Sequence, residues 1–172
     1  MHAEGRRLNK YPYEIRKAND EDANGLIKLI GGCFDEYDGC VLDLDGIDAA
    51  MLAIDSYVQS CGGEFWVVFR DGVLVGSVGY IVEDGKIELI KLYVNQHERR
   101  QGLASKLLNL VLSAAQDKDM EVDLWSDTRF VEAHAFYTHF GFVKQVETRE
   151  LNDPSNTTEF YFRRDNAGAG VK

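Results

Sequence analysis

Leu92-Tyr-Val-Asn-Gln-His-Glu-Arg-Arg-Gln-Gly-Leu-Ala-Ser-Lys106 runs from an apolar strand-like segment through a short polar turn into an amphipathic one. Within it, Arg99, Gly102 and Ala104 form R-x-x-G-x-A where a helix should begin. Small residues there let a ligand approach the backbone closely, and first-turn N–H groups have no intrahelical acceptor. A helix start of this kind favours an anion by about 0.3–1 kcal/mol. Arg99, Arg100 and Lys106 add positive charge in a chain whose net charge is −10. The same residues also suit an ordinary strand-to-helix turn with surface arginines, so the motif alone leaves both readings open.

The flanking pattern sets that turn in a sheet. Asp71-Gly72 and Asp84-Gly85 separate three runs, 64–70, 73–82 and 86–94, rich in β-branched and aromatic residues. Glycine accepts the positive φ of tight hairpins, so these runs predict an antiparallel meander. Upstream, Tyr13 to Lys17 reads as a short strand, and Asn19 with Asp22 offers a helix N-cap. Leu26, Ile27, Ile30 and Phe34 form one helical face, weakened at its end by Gly31-Gly32, and Ile47, Met51, Ile54 and Val58 form another. Downstream, Leu103, Leu107, Leu110, Val111 and Ala114 mark a helix over 102–116. A strand at 121–125, a short helix at 130–140 and a closing strand pair at 142–149 and 158–164 complete the order βααβββαβαββ. That order predicts an α+β fold: a mixed, mostly antiparallel sheet flanked by helices, with a parallel pair joined through the 102–116 helix.

A chain of 172 residues is one ordinary domain, able to bury roughly 70% of its unfolded surface. The domain is expected over 12–164, with flexible tails at 1–11 and 165–172. Apolar residues at 45% and charged residues at 28% exclude a disordered chain. Without an apolar run of about 18 residues or a signal-peptide core, the expectation is a cytoplasmic protein with no membrane partner. Cys33, Cys40 and Cys61 form no C-x-x-C, and His134 and His139 lie five apart, off a common helix face. Neither a disulfide framework nor a metal is expected. The acidic balance argues against nucleic acid, where phosphate contacts supply most of the affinity. It is also uneven: Asp35, Glu36, Asp38, Asp43, Asp45, Asp48, Asp55 and Glu64 fall between Lys28 and Arg70 with no Lys or Arg among them.

Ala133-His-Ala-Phe-Tyr137 and Phe140-Gly-Phe142 add A-x-x-F-Y and G-F to R-x-x-G-x-A. In this order the motifs resemble the Gcn5-related N-acetyltransferase (GNAT) superfamily over about residues 13–164. The resemblance implies acetyl-CoA as co-substrate and a splayed parallel strand pair at its site. Leu92, Tyr93 and Val94 would pair through their backbone with the pantetheine arm. Arg99, Arg100, Gln101, Gly102, Leu103, Ala104 and Ser105 would cradle the pyrophosphate, with Arg99 and Arg100 nearest the nucleotide phosphates. Tyr137 matches the tyrosine that protonates the departing thiolate. Phe130 stands where many relatives carry asparagine, so that polar contact is lost or falls to Asp127, Thr128 or Arg129.

Acetyl transfer to an amine needs the neutral nucleophile, which costs about 4.6 kcal/mol at pH 7 for an amine of pKa near 10.4. A positioned base supplies much of that. Glu88, on the strand leading into the turn, is the preferred base, although a solvent-facing strand carboxylate beside Lys86 reads the same way. Glu36, Asp38 and Glu83 are reserve bases and, with Tyr37, the expected acceptor-side residues. The resemblance puts the acid-rich segment on the acceptor side, which implies a cationic small-molecule or peptide amine by direct attack. It is also compatible with a homodimer through the closing strands. The rival readings are a non-catalytic acyl-CoA-binding or sensing module, and an interaction protein reusing the fold.

Overall fold

A computed structural model describes residues 11–166; the remainder of both expected tails lies outside the described residues. Tyr11, counted above with the leading tail, packs edge-on against Tyr13 and under the Lys106 ammonium. β1 (Glu14–Lys17) is followed by a 3-10 turn, Asp20–Asp22, which Asn19 and Asp22 close as a reciprocal capping box. Arg16 forks onto Asp22 at 2.7 and 2.8 Å, which ties the strand to the start of α1 (Ala23–Phe34). That helix runs straight through Gly31 and Gly32.

The second helix is shorter than its spacing predicts. Ala49–Ala53 is a 3-10 turn and only Ile54–Ser60, α2, is α-helical. Met51, Ile54 and Val58 are buried as expected, but Ile47 lies outside and is 48% exposed. The cause is local: the Asp48 carboxylate accepts the Asp43 N–H and the Asp43 carboxylate accepts the Ile47 N–H. These bonds compete with helix and hold 43–48 as a turn.

β2 (Glu64–Arg70), β3 (Val73–Glu83) and β4 (Lys86–Val94) form the meander. α3 (Leu103–Lys118), β5 (Val122–Asp127), α4 (Val131–His139), β6 (Val143–Glu150) and β7 (Thr158–Arg164) follow. The seven strands form one sheet in the order β1-β2-β3-β4-β5-β7-β6, antiparallel except for β4 and β5. α3 and α4 cover one face, where Leu103, Leu107, Leu108 and Val111 meet Ile87, Leu89 and Leu124. Leu108 and Ala115 are buried in place of the expected Leu110 and Ala114, which are half-buried, so the α3 stripe is rotated slightly from its predicted position. α1 and α2 cover the other face with Leu26, Ile30, Met51 and Val58. Among the described residues no helix is long and apolar enough to cross a membrane.

Two departures from a regular sheet open the site. β4 and β5 pair only at Ile87 with Val122 and Glu88 with Asp123, and then part. β5 continues against β7 as far as Asp127 opposite Glu159. Further along β4, pairing to β3 skips from Ile90 to Tyr93, with Lys91 at φ +51°. This bulge is held by Ser77, whose hydroxyl donates to the Lys91 carbonyl at 2.7 Å.

Candidate active site

The parting strands open a cleft of about 740 Å³. Side-chain alternation decides what it joins. On β4, Ile87 and Leu89 belong to the α3/α4 face, whereas Glu88 sits opposite Ile81 and Asp123 and so faces α1 and α2. Tyr137 of α4 packs on Phe142 and Phe162 in the α3/α4 core, yet it lines the same cleft. The cleft therefore passes through the sheet, with the carboxylate on one face and the phenol on the other.

Glu88 occupies the last paired rung before the splay. Burial pushes its carboxyl up to about 7; Asp123, Glu83 and Glu159 add to the rise and the Arg149 guanidinium opposes it. Tyr137 is 6% exposed, and its hydroxyl has no hydrogen-bond partner among the described residues. Burial raises its phenol well above the ordinary range, so the O–H persists as a donor at neutral pH.

At the other end of β4 the chain makes a 3-10 turn, Gln96–Glu98, capped by Asn95. Arg100 at φ +62° and Gly102 at φ +77° then swing it into α3. Lys106 N–H returns to the Gly102 carbonyl, but the N–H groups of residues 99–105 have no acceptor among the described residues. Glu98 accepts Tyr13 at 2.6 Å and Arg70 at 2.8 Å, so its charge is spent away from the turn. Seven free amides without a competing carboxylate suit a bulky anion such as a diphosphate.

The individual expectations divide. Leu92, Tyr93, Val94 and Ala104 line the cleft. Leu103 is buried and Gln101 accepts the Tyr13 hydroxyl, so each offers only its N–H to the turn, and Ser105 is half-buried beside them. Arg99 leaves its N–H free at the turn, but its side chain goes elsewhere. Its guanidinium crosses to α1, holds Glu36 through two bonds of 2.7 Å and donates to the Val94 carbonyl. Arg100 is exposed and makes no ion pair among the described residues, so it is the cation left free at the turn.

Glu36 is thereby removed from the acceptor side, and Asp38 is also off the cleft wall, its carbonyl accepting Arg129. Tyr37 and Glu83 do line the cleft. Of the eight acids between Lys28 and Arg70, only Asp48 reaches it, and there it grips Lys91 at 2.6 Å. Phe130 packs on Tyr37 at 4.8 Å and on Phe34 at 6.1 Å, filling the position with carbon where the resemblance led us to look for an amide.

Sequence reasoning missed Arg149 and the pair formed by Lys91 and Asp48. Arg149 lies 4.4 Å over the Trp125 ring, bonded to Glu159 at 2.7 Å. These contacts join residues far apart in the chain, and no local spacing marks them.

Residues 33–142 match the model of the acetyltransferase (GNAT) family. Human N-acetyltransferase 8 is 35% identical over 96 residues, covering 52% of this chain and 42% of that protein. The chain thus spans well under half the length of that curated relative. A GNAT-family acetyltransferase from Staphylococcus aureus Mu50 superposes with a TM-score of 0.77 at 20% identity, covering 90% of this chain and 99% of that one. The PaiA N-acetyltransferase from Thermoplasma acidophilum, solved in complex with coenzyme A, gives a TM-score of 0.67 at 18% identity over 90% of this chain and 99% of that one. The last two likenesses bear on the fold alone.

Proposed function

The chain belongs to the acetyltransferase (GNAT) family, and on that premise we propose that it transfers acetyl from acetyl-CoA to a primary amine bound in the same cleft. Acetyl-CoA, when bound, supplies a thioester carbonyl open to attack by an amine. The free N–H groups of 99–105 fit its diphosphate, with Arg100 beside them. Beyond Glu88, β4 lacks a partner on its β5 side, so residues 92–94 suit an amide-bearing arm added like a strand.

One observation carries the reading: the passage through the sheet has a proton acceptor on one face and a proton donor on the other. Glu88, with its carboxyl near 7, is a stronger base than an ordinary glutamate and is still substantially ionised at neutral pH. It takes one proton from the acceptor ammonium, and the freed amine forms the C–N bond at the thioester carbonyl as the C–S bond breaks. Tyr137 gives a proton to the departing sulfur, and the nitrogen sheds its second proton to solvent. Glu88 and Tyr137 return to their starting states by exchange with solvent.

Charge on the cleft wall supports a cationic acceptor, such as a polyamine, an amino sugar or a basic peptide terminus. Lys91, Arg99 and Arg149 each hold a carboxylate. Glu83, Glu88 and Glu132 have no ion-pair partner among the described residues. The unbalanced charge is therefore negative; of the residues supplying it, Glu83 and Glu88 were named from the sequence and Glu132 was not.

Thermal unfolding with and without acetyl-CoA, followed by thiol release across an amine panel, tests the reading. Glu88→Gln and Tyr137→Phe are each expected to lower kcat by about 10²-fold with the acetyl-CoA shift intact. Undiminished rates in both variants would remove the two assignments. Stabilisation by acetyl-CoA without thiol release from any amine would mark a binding or sensing module instead.

A further inference from the structure

Two loops face each other across the splay. The loop of residues 35–48 belongs to the β4 side, because α1 before it packs on β3 and β4. The loop of residues 151–157 belongs to the β5 side, because β7 after it pairs with β5. Both supply residues to the cleft wall, Cys40 and Val41 from one and Ser155 and Thr157 from the other.

They are joined, residue to residue. The Ser155 hydroxyl accepts the Val41 N–H at 2.9 Å and donates to the Val41 carbonyl at 3.0 Å. Arg129, between β5 and α4, donates from one terminal nitrogen to the Asp38 carbonyl at 3.3 Å and from the other to the Ser155 carbonyl at 3.0 Å. Its Nε is gripped by Asp127 at 3.0 Å, and Asp153 fixes Thr157 through its hydroxyl and its N–H. Asp127, Ser155 and Thr157 are all buried. A buried polar network with its members satisfied holds a single geometry. Loops beside binding sites usually come from the least stable parts of a fold, and these two are anchored instead.

The junction lies on one side only. Along β5, Asp127 alternates onto the same face as Asp123 and Trp125, the face of Glu88. None of its bonds reaches the turn at 99–105. The clasp itself therefore borders the entrance used by the amine, while the loop of 35–48 meets the turn separately, through Glu36 on Arg99.

We propose that Arg129 and Ser155 clasp these loops at a set separation and so select the acceptor by width as well as charge. An unbranched primary amine passes; an amine branched at the carbon next to nitrogen is rejected. The inference rests on the transferase reading above. Neither residue touches the reacting atoms, so both are positioning residues.

The test compares kcat/KM for an unbranched alkyl diamine and its α-branched counterpart in wild type, Arg129→Lys and Ser155→Ala. The lysine keeps a charge for Asp127 while losing the fork, and the alanine removes only the link to Val41. A pocket commonly distinguishes one methyl group by about 10–200-fold. Each variant is expected to reduce the wild-type preference about tenfold, with the KM for acetyl-CoA unchanged. Amide hydrogen exchange should quicken together in 35–48 and 151–157, and not in α3. If both variants fold, bind acetyl-CoA and discriminate as wild type does, the clasp has no selective role. Wild type that releases no thiol with any amine overturns the transferase reading, and the selectivity with it.

Discussion

At the residue scale, Glu88 ties activity and stability to pH in opposite directions. The rate should rise with pH through about 7 as its carboxyl ionises, and Glu88→Gln should lose that limb. For stability, the folded carboxyl at about 7 lies above its ordinary 4.5, so between those values the folded state binds more protons than the unfolded one. Stability contributed by this group is therefore present below about 4.5 and declines as pH rises through 7. Glu88→Gln should melt higher than wild type at pH 8, with the gap closing toward pH 5; a variant that melts lower at pH 8 would contradict the assigned burial. Placement was legible where a motif carried it: Tyr137 lines the cleft and Gly102 takes a positive φ at the turn. Side-chain direction was not, because it depends on partners distant in sequence. Arg99 belongs to the motif, yet Glu36, 63 residues away, decides where its charge goes.

Among the elements, β4 carries most of the proposed site and the one positive-φ residue inside a described strand. Its order, its hairpins and its parallel neighbour could be read from spacing and from Asp-Gly dipeptides. The bulge could not, since a lysine at φ +51° has no sequence signature. It is stabilised by packing and by a pair that is almost dry, with Asp48 at 4% and Lys91 at 21% side-chain exposure. Removing one member of such a pair leaves an uncompensated charge, at a cost of about 3 kcal/mol or more. Asp48→Leu should lose that much in chemical denaturation, and Lys91→Met in the same chain should restore most of it. A double variant that loses the sum of the two single losses would show that the two do not interact. The shortened second helix was missed for a related reason. Asp43 and Asp48 take backbone N–H groups that an uninterrupted helix would need, and hydrophobic spacing does not register that competition.

On the scale of the whole molecule, the net charge of −10 and the unpaired cleft carboxylates should steer cationic amines inward. Such steering is screened over about 10 Å at 0.1 M salt. The KM for a cationic amine should rise several-fold between low and moderate salt, while that for a neutral amine stays nearly constant. Parallel behaviour of the two would argue against electrostatic selection. The broad architecture was visible in the sequence because each element has its own periodicity. The clasp was not, because Val41 and Ser155 meet across 114 residues of chain. The perforated sheet also bears on traffic. If the proposed transfer holds, separate doorways on opposite faces would spare either reactant from queueing behind the other, and each spent half would leave by the door through which its parent came. Free coenzyme should then compete only with its acetylated form, and the acetylated amine only with its precursor.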